Sequence, residues 1–163
     1  MNYHKIILND TANGDGIRVT LFVSGCSLRC SDCHNPQCWS QHSGQPFTDD
    51  TIGEIMKELS KSYNSGITLS GGHPLEPYNI EDITSLCKKI KKRFPTKTIW
   101  LYTGLLYEDV KEYDVMNYVD VLVDGKYEKD LRDLTLKWRG SSNQRVIDVK
   151  KTRECNQIVL HCN

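Results

Sequence analysis

Three cysteines with the spacing C-x3-C-x2-C, Cys26, Cys30 and Cys33, closely follow the apolar residues 19–23. This spacing allows one short loop to place three thiolates around a single centre. A fourth cysteine would complete an iron–sulfur cluster or a structural zinc site, whereas three leave one coordination position without an obvious protein ligand. Because metal chemistry takes place at an open position, the motif predicts a reactive metal centre.

Two other metal sites also fit part of this sequence. The three cysteines and His34 could form a structural zinc site, although such sites usually draw pairs of cysteines from separated parts of the chain. Cys38 could instead be the fourth ligand of a cluster, because a C-x4-C spacing occurs in plant-type ferredoxins. That ligand would fill the open position and abolish the predicted chemistry.

The chain of 163 residues is long enough for one domain with a substantial core, and we expect residues 1–163 to form that domain. Its formal net charge of zero argues against a nucleic-acid-binding protein. No apolar run approaches the roughly 20 residues that span a bilayer, and the first residues lack the apolar region of a signal peptide. Seven cysteines without a secretory signal predict a protein of the reducing cytoplasm, where thiols bind metal or stay free.

The elements that position the cysteine loop follow a strand–loop–helix pattern. β-branched and apolar residues predict strands at 17–23, 66–70, 97–102 and 118–123. Apolar residues at helical spacing predict a helix capped by Thr48, a second capped by Asn79 and stopped by Pro95, and a weaker one at 106–112. This alternation indicates right-handed βαβ crossovers and a parallel sheet.

Every segment that contains candidate functional residues follows a predicted strand, so these segments should meet at the carboxyl rim of the sheet. A complete eight-fold barrel needs about 250 residues, so this chain is long enough for only part of one. We therefore expect an α/β fold, a partial, laterally open parallel (β/α) barrel whose open side could admit a macromolecule. The pattern weakens after Leu131, and residues from about 150 are expected to form a strand or a loose tail.

The remaining cysteines have simpler interpretations. Cys87 lies on the apolar face of a predicted helix and is expected to be a small core residue. Cys155 and Cys162, with His161 beside the second, could form a thiol pair or a second metal site. Two unrelated reduced thiols are the simpler interpretation of that pair.

The residues around the cysteines resemble a known superfamily. The cysteine motif, followed by His34, resembles the signature of radical S-adenosylmethionine enzymes. Together with residues 13–18 (Asn-Gly-Asp-Gly-Ile-Arg), it is similar to the glycyl-radical activating enzymes. Residues 124–127 (Asp-Gly-Lys-Tyr) and 138–145 (Trp-Arg-Gly-Ser-Ser-Asn-Gln-Arg) look like the branch that activates anaerobic ribonucleoside-triphosphate reductase. The resemblance covers residues 13–145, which is most of the chain.

This resemblance implies a radical S-adenosylmethionine type of partial barrel with a [4Fe–4S] cluster. The three cysteines would ligate three irons, and the amino and carboxylate groups of S-adenosylmethionine would hold the fourth. One electron from the cluster would then break the S–C5′ bond. The cofactor would supply this reactivity, and the protein would bind and orient it. His34 would pack near the adenine, and Gly71 and Gly72 would bring backbone groups close to the ammonium. The residues implied to bind the cofactor are Asp32, Cys33, His34, Gly71, Gly72 and His73.

The implied activity is that of an oxidoreductase that acts on another protein. The product radical would abstract hydrogen from the Cα of a glycine on the large subunit of the reductase, and a one-electron donor such as flavodoxin would reduce the cluster. Asn13, Asp15, Asp124 and Lys126 are candidates for the rim that meets the substrate. An activase of another glycyl-radical enzyme and a zinc-stapled binding module without redox chemistry are the alternatives.

His73 departs from the family pattern, which usually has an acidic residue after the two glycines. A neutral histidine can accept one hydrogen bond but brings no negative charge to the ammonium. The resemblance therefore implies weaker cofactor binding, or compensation by another carboxylate, for which Glu76 is the nearest candidate. An aspartate or glutamate at position 73 is then expected to bind S-adenosylmethionine more tightly.

Overall fold

The computed structural model describes residues 1–33 and 35–162, which form a mixed eight-stranded sheet with α-helices in the connections. In chain order the strands are β1 (Asn2–Asp10), β2 (Ile17–Val23), β3 (Gln45–Pro46), β4 (Asn64–Gly71), β5 (Thr98–Tyr102), β6 (Val121–Asp124), β7 (Arg145–Asp148) and β8 (Leu160–Cys162). The helices are α1 (Asp49–Leu59), α2 (Ile80–Arg93), α3 (Tyr107–Val110) and α4 (Val149–Cys155). The predicted α/β class is confirmed.

The centre of the sheet is parallel and its flanks are antiparallel, with the strand order β3-β1-β2-β4-β5-β6-β7-β8. β2, β4, β5 and β6 pair in parallel, and each overlaps a predicted strand. β1 and β3 pair antiparallel at one end, and β7 and β8 at the other. The expectation of a parallel sheet is therefore wrong for the flanks. For the pairs β1–β2 and β6–β7, the connecting residues 11–16 and 125–144 contain no α-helix that could carry a parallel crossover.

Helices α1 and α2 lie close to their predicted positions. Thr48 caps α1 and forms a reciprocal capping box with Thr51. The predicted cap of α2, Asn79, makes no side-chain cap bond. Its amide nitrogen instead donates to the backbone oxygens of Ser24 and His73, at 2.9 and 3.1 Å, and so joins α2 to the ends of two strands.

The last part of the described chain joins the sheet. Residues from about 150, for which a strand or a loose tail was expected, contain helix α4 and strand β8, and β8 pairs with β7. Within residues 1–33 and 35–162, no helix combines the length and the apolar character needed to cross a bilayer.

The two faces of the central strands differ in polarity because side chains alternate along a strand. On β2, the side chains of Val19, Leu21 and Val23 are buried in the main core, together with apolar residues of α1 and α2. Arg18 and Thr20, on the opposite face of β2, are also buried, but they bind polar partners. This second face therefore carries polar groups that can form the wall of a site.

Arg18 binds several neighbouring segments on the polar face. Its side chain is 1% exposed, and burial lowers its pKa to about 10, so it stays charged at neutral pH. It forms no ion pair with a carboxylate of residues 1–33 or 35–162, and lies 5.4 Å from the centroid of the Trp100 ring. Its guanidinium makes five hydrogen bonds, to the backbone oxygens of Asp15, Ile67 and Thr98 and the hydroxyls of Thr68 and Thr98.

Asp15 joins the polar face to the end of the chain. One of its carboxylate oxygens lies 2.6 Å from Nε2 of His161, and the other accepts a hydrogen bond from Nε1 of Trp138 at 3.1 Å. The Trp100 ring packs edge-on against both, with centroid distances of 5.9 Å to Trp138 and 5.2 Å to His161. Because Asp15 precedes β2, these contacts close the amino end of the polar face, opposite the rim that carries the cysteines.

We predict that Arg18→Lys destabilises the fold by about 2–4 kcal/mol, because lysine cannot reproduce the fork of five donors and leaves buried oxygens without a partner. Urea unfolding of the metal-free, reduced chain, followed by circular dichroism, measures the change. Arg93→Lys, at an exposed arginine, is the control and should change the free energy of unfolding by less than about 0.5 kcal/mol. Equal effects of the two substitutions would contradict the assignment.

Candidate functional site

A cavity of about 420 Å³ lies against the polar face at the carboxyl ends of the parallel strands. The loop after β2 supplies Cys26, Cys30 and Cys33 to its wall, so the three predicted ligands line one space. The end of β4 and the loop after it contribute three of the predicted cofactor-binding residues, Gly71, Gly72 and His73, and the loop after β5 lies beside them. Residues from these and other segments that line the cavity include Asn13, Gly71, Gly72, His73, Tyr102, Thr103 and Arg139.

The cysteine loop is closed at its base by backbone hydrogen bonds. The amide of Gly25 donates to the Cys38 oxygen at 2.6 Å, and the amide of Cys26 donates to the Trp39 oxygen at 3.0 Å. Inside the loop, Arg29 adopts a positive φ of 46°, a conformation that turns the chain sharply. The loop therefore leaves β2 and returns beside its own start, and the three cysteines lie between its two ends.

Backbone amides donate to each of the three cysteine sulfurs. The donors are Leu28 and Arg29 for Cys26, Tyr127 for Cys30 and, at 3.4 Å, Asn35 for Cys33. Burial raises the pKa of Cys26 and of Cys30, and these amides act in the opposite direction by stabilising the thiolate. Thiolates are the form that binds metal, and hydrogen bonds to sulfur are a regular part of iron–sulfur sites. The donor set therefore fits an iron–sulfur cluster with three cysteine ligands.

Cys38 differs from these three cysteines. It is 1% exposed, it does not line the cavity, and burial raises its pKa to about 11. Cys87 is fully buried in the main core, as predicted. Cys155 is exposed and Cys162 lies on β8, and all seven cysteines are free.

Two predictions involve His34, which lies outside the described residues: its contact with an adenine and the zinc site that includes it. Among residues 1–33 and 35–162, no three side chains of His, Cys, Asp or Glu are grouped so that they could hold a single metal ion. Asp32, beside the cysteine loop's third thiol, is exposed and lies 3.4 Å from the ammonium of Lys129.

Gly71 and Gly72 allow the loop after β4 to lie directly against β2 and the cysteine loop. Gly71 has a φ of +104°, and a Cβ there would lie 2.4 Å from the amide nitrogen of Val23. A Cβ on Gly72 would lie 2.6 Å from the Gly25 oxygen. The close approach permits two hydrogen bonds, from the amide of Gly72 to the Val23 oxygen at 2.9 Å and from the amide of His73 to the Gly25 oxygen at 2.8 Å.

His73 is held by a buried network that joins three loops. Its Nδ1 lies 3.2 Å from Oε1 of Glu76, and its Nε2 lies 2.6 Å from the hydroxyl oxygen of Thr103. The same carboxylate oxygen accepts hydrogen bonds from the amide of Ser27 at 2.8 Å and from its hydroxyl at 2.7 Å. Glu76 therefore fixes the cysteine loop through Ser27 and orients the imidazole of His73.

The charges in this network follow from its contacts. Burial lowers the pKa of His73, more strongly than Glu76 raises it, so the imidazole is neutral near pH 7. Burial acts to raise the pKa of Glu76, but the hydrogen bonds from Ser27 and His73 outweigh it and hold that pKa below its usual value. The ionised carboxylate can only accept, so Nδ1 of His73 carries the proton and Nε2 accepts from the Thr103 hydroxyl.

Asn13 is the predicted rim residue that the structure places at the cavity. Its side-chain amide donates to Oδ2 of Asp10 at 2.6 Å, and its backbone oxygen accepts from the Thr68 hydroxyl at 2.6 Å. Asp10, which the sequence did not indicate, also accepts from the hydroxyl of Thr20 at 2.6 Å and is 6% exposed. The role of this carboxylate becomes visible only in the three-dimensional contacts between β1, β2 and their connecting loop.

Asp124 and Lys126, two further predicted rim residues, have different surroundings. Asp124 is fully buried, does not line the cavity, and is bound by Arg145 at both carboxylate oxygens, with distances of 3.1 and 2.5 Å. Its Oδ2 also accepts from the amide of Tyr107 at 2.8 Å. Lys126 is exposed, and its charge acts on the thiol of Cys30, whose pKa it lowers against the larger effect of burial.

Residues 139–145, the Arg-Gly-Ser-Ser-Asn-Gln-Arg stretch, form a brace for the loop after β6. The side chain of Gln144 accepts from the amide of Gly140 at 2.9 Å and donates to the Gly125 oxygen at 3.0 Å. The side chain of Asn143 donates to the Lys126 oxygen at 2.7 Å. This stretch therefore positions residues 125–127, whose last amide donates to a cysteine sulfur.

Comparison with known proteins agrees with this site. The family described as "4Fe-4S single cluster domain" matches residues 12–147. The chain is 51% identical to the anaerobic ribonucleoside-triphosphate reductase-activating protein of Enterobacteria phage T4, over 90% of this chain and 93% of that protein. It is 45% identical to the protein of the same name from Escherichia coli (strain K12), over 88% of this chain and 96% of that protein. The chain belongs to this family of activating proteins.

The family assignment confirms the resemblance found in the sequence, and the matched residues 12–147 contain the cysteine motif and the brace. A third relative, from Vibrio cholerae serotype O1, is 41% identical over 88% of this chain and 96% of its own length, and has the same name.

We predict that Arg145→Gln destabilises the protein by about 3–5 kcal/mol, because it leaves the buried Asp124 carboxylate without its charged partner. Chemical denaturation measures the change. The double variant Asp124→Asn with Arg145→Gln should be less destabilised than Arg145→Gln alone, since it removes the unpaired charge. Arg153→Gln, at an exposed arginine bound to Asn117, is the control and should change stability by less than about 0.5 kcal/mol.

Proposed function

We propose that this protein is an oxidoreductase, an activase that cleaves S-adenosylmethionine reductively and generates a glycyl radical on anaerobic ribonucleoside-triphosphate reductase. The observation that carries the proposal is the arrangement of Cys26, Cys30 and Cys33, three thiols that line one cavity and each accept a backbone N–H. The relatives, which are named as activating proteins of that reductase, indicate the target.

The three cysteines would hold three irons of a [4Fe–4S] cluster, and the open fourth position would take the amino and carboxylate groups of S-adenosylmethionine. When bound, the cluster supplies the single electron that breaks the S–C5′ bond. The chain's own residues bind and orient the reacting groups. The backbone amides at the sulfurs stabilise thiolate charge, and Gly71 and Gly72 keep the neighbouring loop close enough to line the same cavity. Asp32 and His34 are proposed to contact the cofactor beside them, and His73 forms part of the wall of the same cavity.

The polar face of the sheet is proposed to be the inside of a partial, laterally open barrel of the radical S-adenosylmethionine type. Three features support it: four parallel strands, a cavity at their carboxyl ends, and a closed amino end held by Asp15. In this proposal residues 1–163 act as one domain. Asn13 and Lys126 lie at the cavity or beside a cluster ligand, so they are the rim residues best placed to meet a substrate.

The partner is the large subunit of the reductase, whose glycine would enter the cavity and lose a hydrogen atom from Cα. A one-electron donor such as flavodoxin would reduce the cluster, in the reducing environment of the cytoplasm that keeps all seven cysteines free. No nucleic acid or membrane takes part in this proposal.

We predict that anaerobically reconstituted protein contains about four iron and four acid-labile sulfide per chain, the count of a [4Fe–4S] cluster, and converts S-adenosylmethionine to 5′-deoxyadenosine when reduced. Iron analysis and chromatography of the product measure both. Cys30→Ala should lose most of the iron and all cleavage, because it removes a ligand. Cys155→Ala, at an exposed cysteine away from the cavity, should keep both. Colourless protein that contains zinc would favour the binding module instead.

The target of the activase is tested separately by electron paramagnetic resonance. Incubation with the large subunit of anaerobic ribonucleoside-triphosphate reductase, S-adenosylmethionine and a reductant should produce a glycyl-radical signal on that subunit. Substitution of the target glycine by alanine should abolish the signal. Cleavage of S-adenosylmethionine without any such signal would point to another glycyl-radical enzyme as the partner.

A further inference from the structure

Both ring nitrogens of His73 are already used within the protein. Nδ1 donates to Glu76 and Nε2 accepts from Thr103, so the imidazole has no lone pair left for a ligand. His73 is 4% exposed and Glu76 is 6% exposed, and Glu76 does not line the cavity. The imidazole therefore cannot accept from a cation in the cavity without breaking this network, and the Glu76 carboxylate does not line the cavity.

Thr103 is the member of the network that both lines the cavity and retains an acceptor. Its hydroxyl proton goes to His73, and one lone pair of its oxygen accepts from the amide of Leu105 at 3.1 Å. A hydroxyl oxygen has two lone pairs, and no donor within residues 1–33 or 35–162 takes the second. Thr103 is 5% exposed and lines the cavity beside Gly72 and His73.

The negative charge of Glu76 reaches this oxygen through the imidazole. The carboxylate holds the proton of Nδ1, which makes Nε2 a stronger acceptor for the Thr103 hydroxyl. A hydroxyl that donates to a strong acceptor becomes a better acceptor itself. The chain Glu76–His73–Thr103 thus orients and polarises one oxygen at the cavity wall.

We propose that Thr103 is the side-chain acceptor for the ammonium group of S-adenosylmethionine, and that His73 and Glu76 are positioning residues that act through it. This inference rests on the proposed function, because it requires the cavity to bind that cofactor. It explains how a loop with histidine after the two glycines can still recognise a cation. Glu76 compensates for the missing acidic residue, but it does so through its hydrogen bond to His73 and not by direct contact with the ammonium.

The test compares the affinity of reconstituted wild-type protein and variants for two ligands, S-adenosylmethionine and its deaminated 2-oxo analogue. Thr103→Val removes the oxygen at nearly constant size. It should weaken S-adenosylmethionine binding by at least about tenfold and leave binding of the analogue unchanged, since a hydrogen bond to a charged group is worth about 1.5–3 kcal/mol. Thr103→Ser, which keeps the hydroxyl, should bind both ligands like the wild type.

Two further variants test the positioning residues and remain informative if Thr103→Val does not fold. Glu76→Gln keeps the size of the side chain but removes its charge. It should reduce the amino preference, which is the ratio of the affinity for S-adenosylmethionine to the affinity for the 2-oxo analogue. His73→Asp places a second carboxylate beside Glu76 and cannot reach Thr103, so it should weaken S-adenosylmethionine binding, contrary to the expectation from the sequence. Thr84→Val, on α2 and away from the cavity, is the matched control and should change neither affinity.

Each outcome has a defined meaning. Equal loss of both ligands in Thr103→Val would indicate a purely structural role and overturn the inference. Retention of the amino preference in both Thr103→Val and Glu76→Gln would also overturn it, while leaving the proposed function intact. Failure of the reconstituted wild type to bind S-adenosylmethionine at all would overturn both.

Discussion

The site depends on close contact between the loop that carries the cysteines and the glycine loop after the neighbouring parallel strand. The amide of His73 binds the Gly25 oxygen at 2.8 Å, and a side chain at Gly72 would collide with that same oxygen. Glu76 adds a second connection, through the amide and hydroxyl of Ser27. Because Ser27 directly follows Cys26, the first predicted ligand, this contact fixes where the thiols begin to face the cavity.

Electrostatics explains why the contact is built from these groups. Burial at the cavity makes the thiols of Cys26 and Cys30 resist ionisation, and backbone amides offset that cost without adding a mobile charge. The amide donors come from the cysteine loop itself and from Tyr127, which belongs to a distant part of the chain. The brace of residues 139–145 holds the segment that carries this amide, through Asn143 and Gln144. The stretch whose sequence resembles one branch of the activating enzymes thus positions the backbone of residues 125–127.

The sequence predicted the parallel strands, the carboxyl rim and the metal ligands because each is encoded locally. Apolar runs specify buried strands, and the three cysteines lie within eight residues of one another. The antiparallel flanks were missed because short strands such as β7 and β8 carry little periodic signal and form only when a sheet edge is present. Asp10 was missed for a similar reason, since its partners lie on β2 and in the loop that follows β1.

By itself, the sequence determined which side chains could bind a cluster and that they follow a buried strand, since thiol chemistry and hydrophobic pattern depend on residue type and spacing. Only the tertiary structure decided which lone pairs remain available at the cavity. Hydrogen bonds between loops from different strands consume both nitrogens of His73 and leave Thr103 with an acceptor. Such bonds depend on distances between residues far apart in the chain, and no spacing within one loop specifies them.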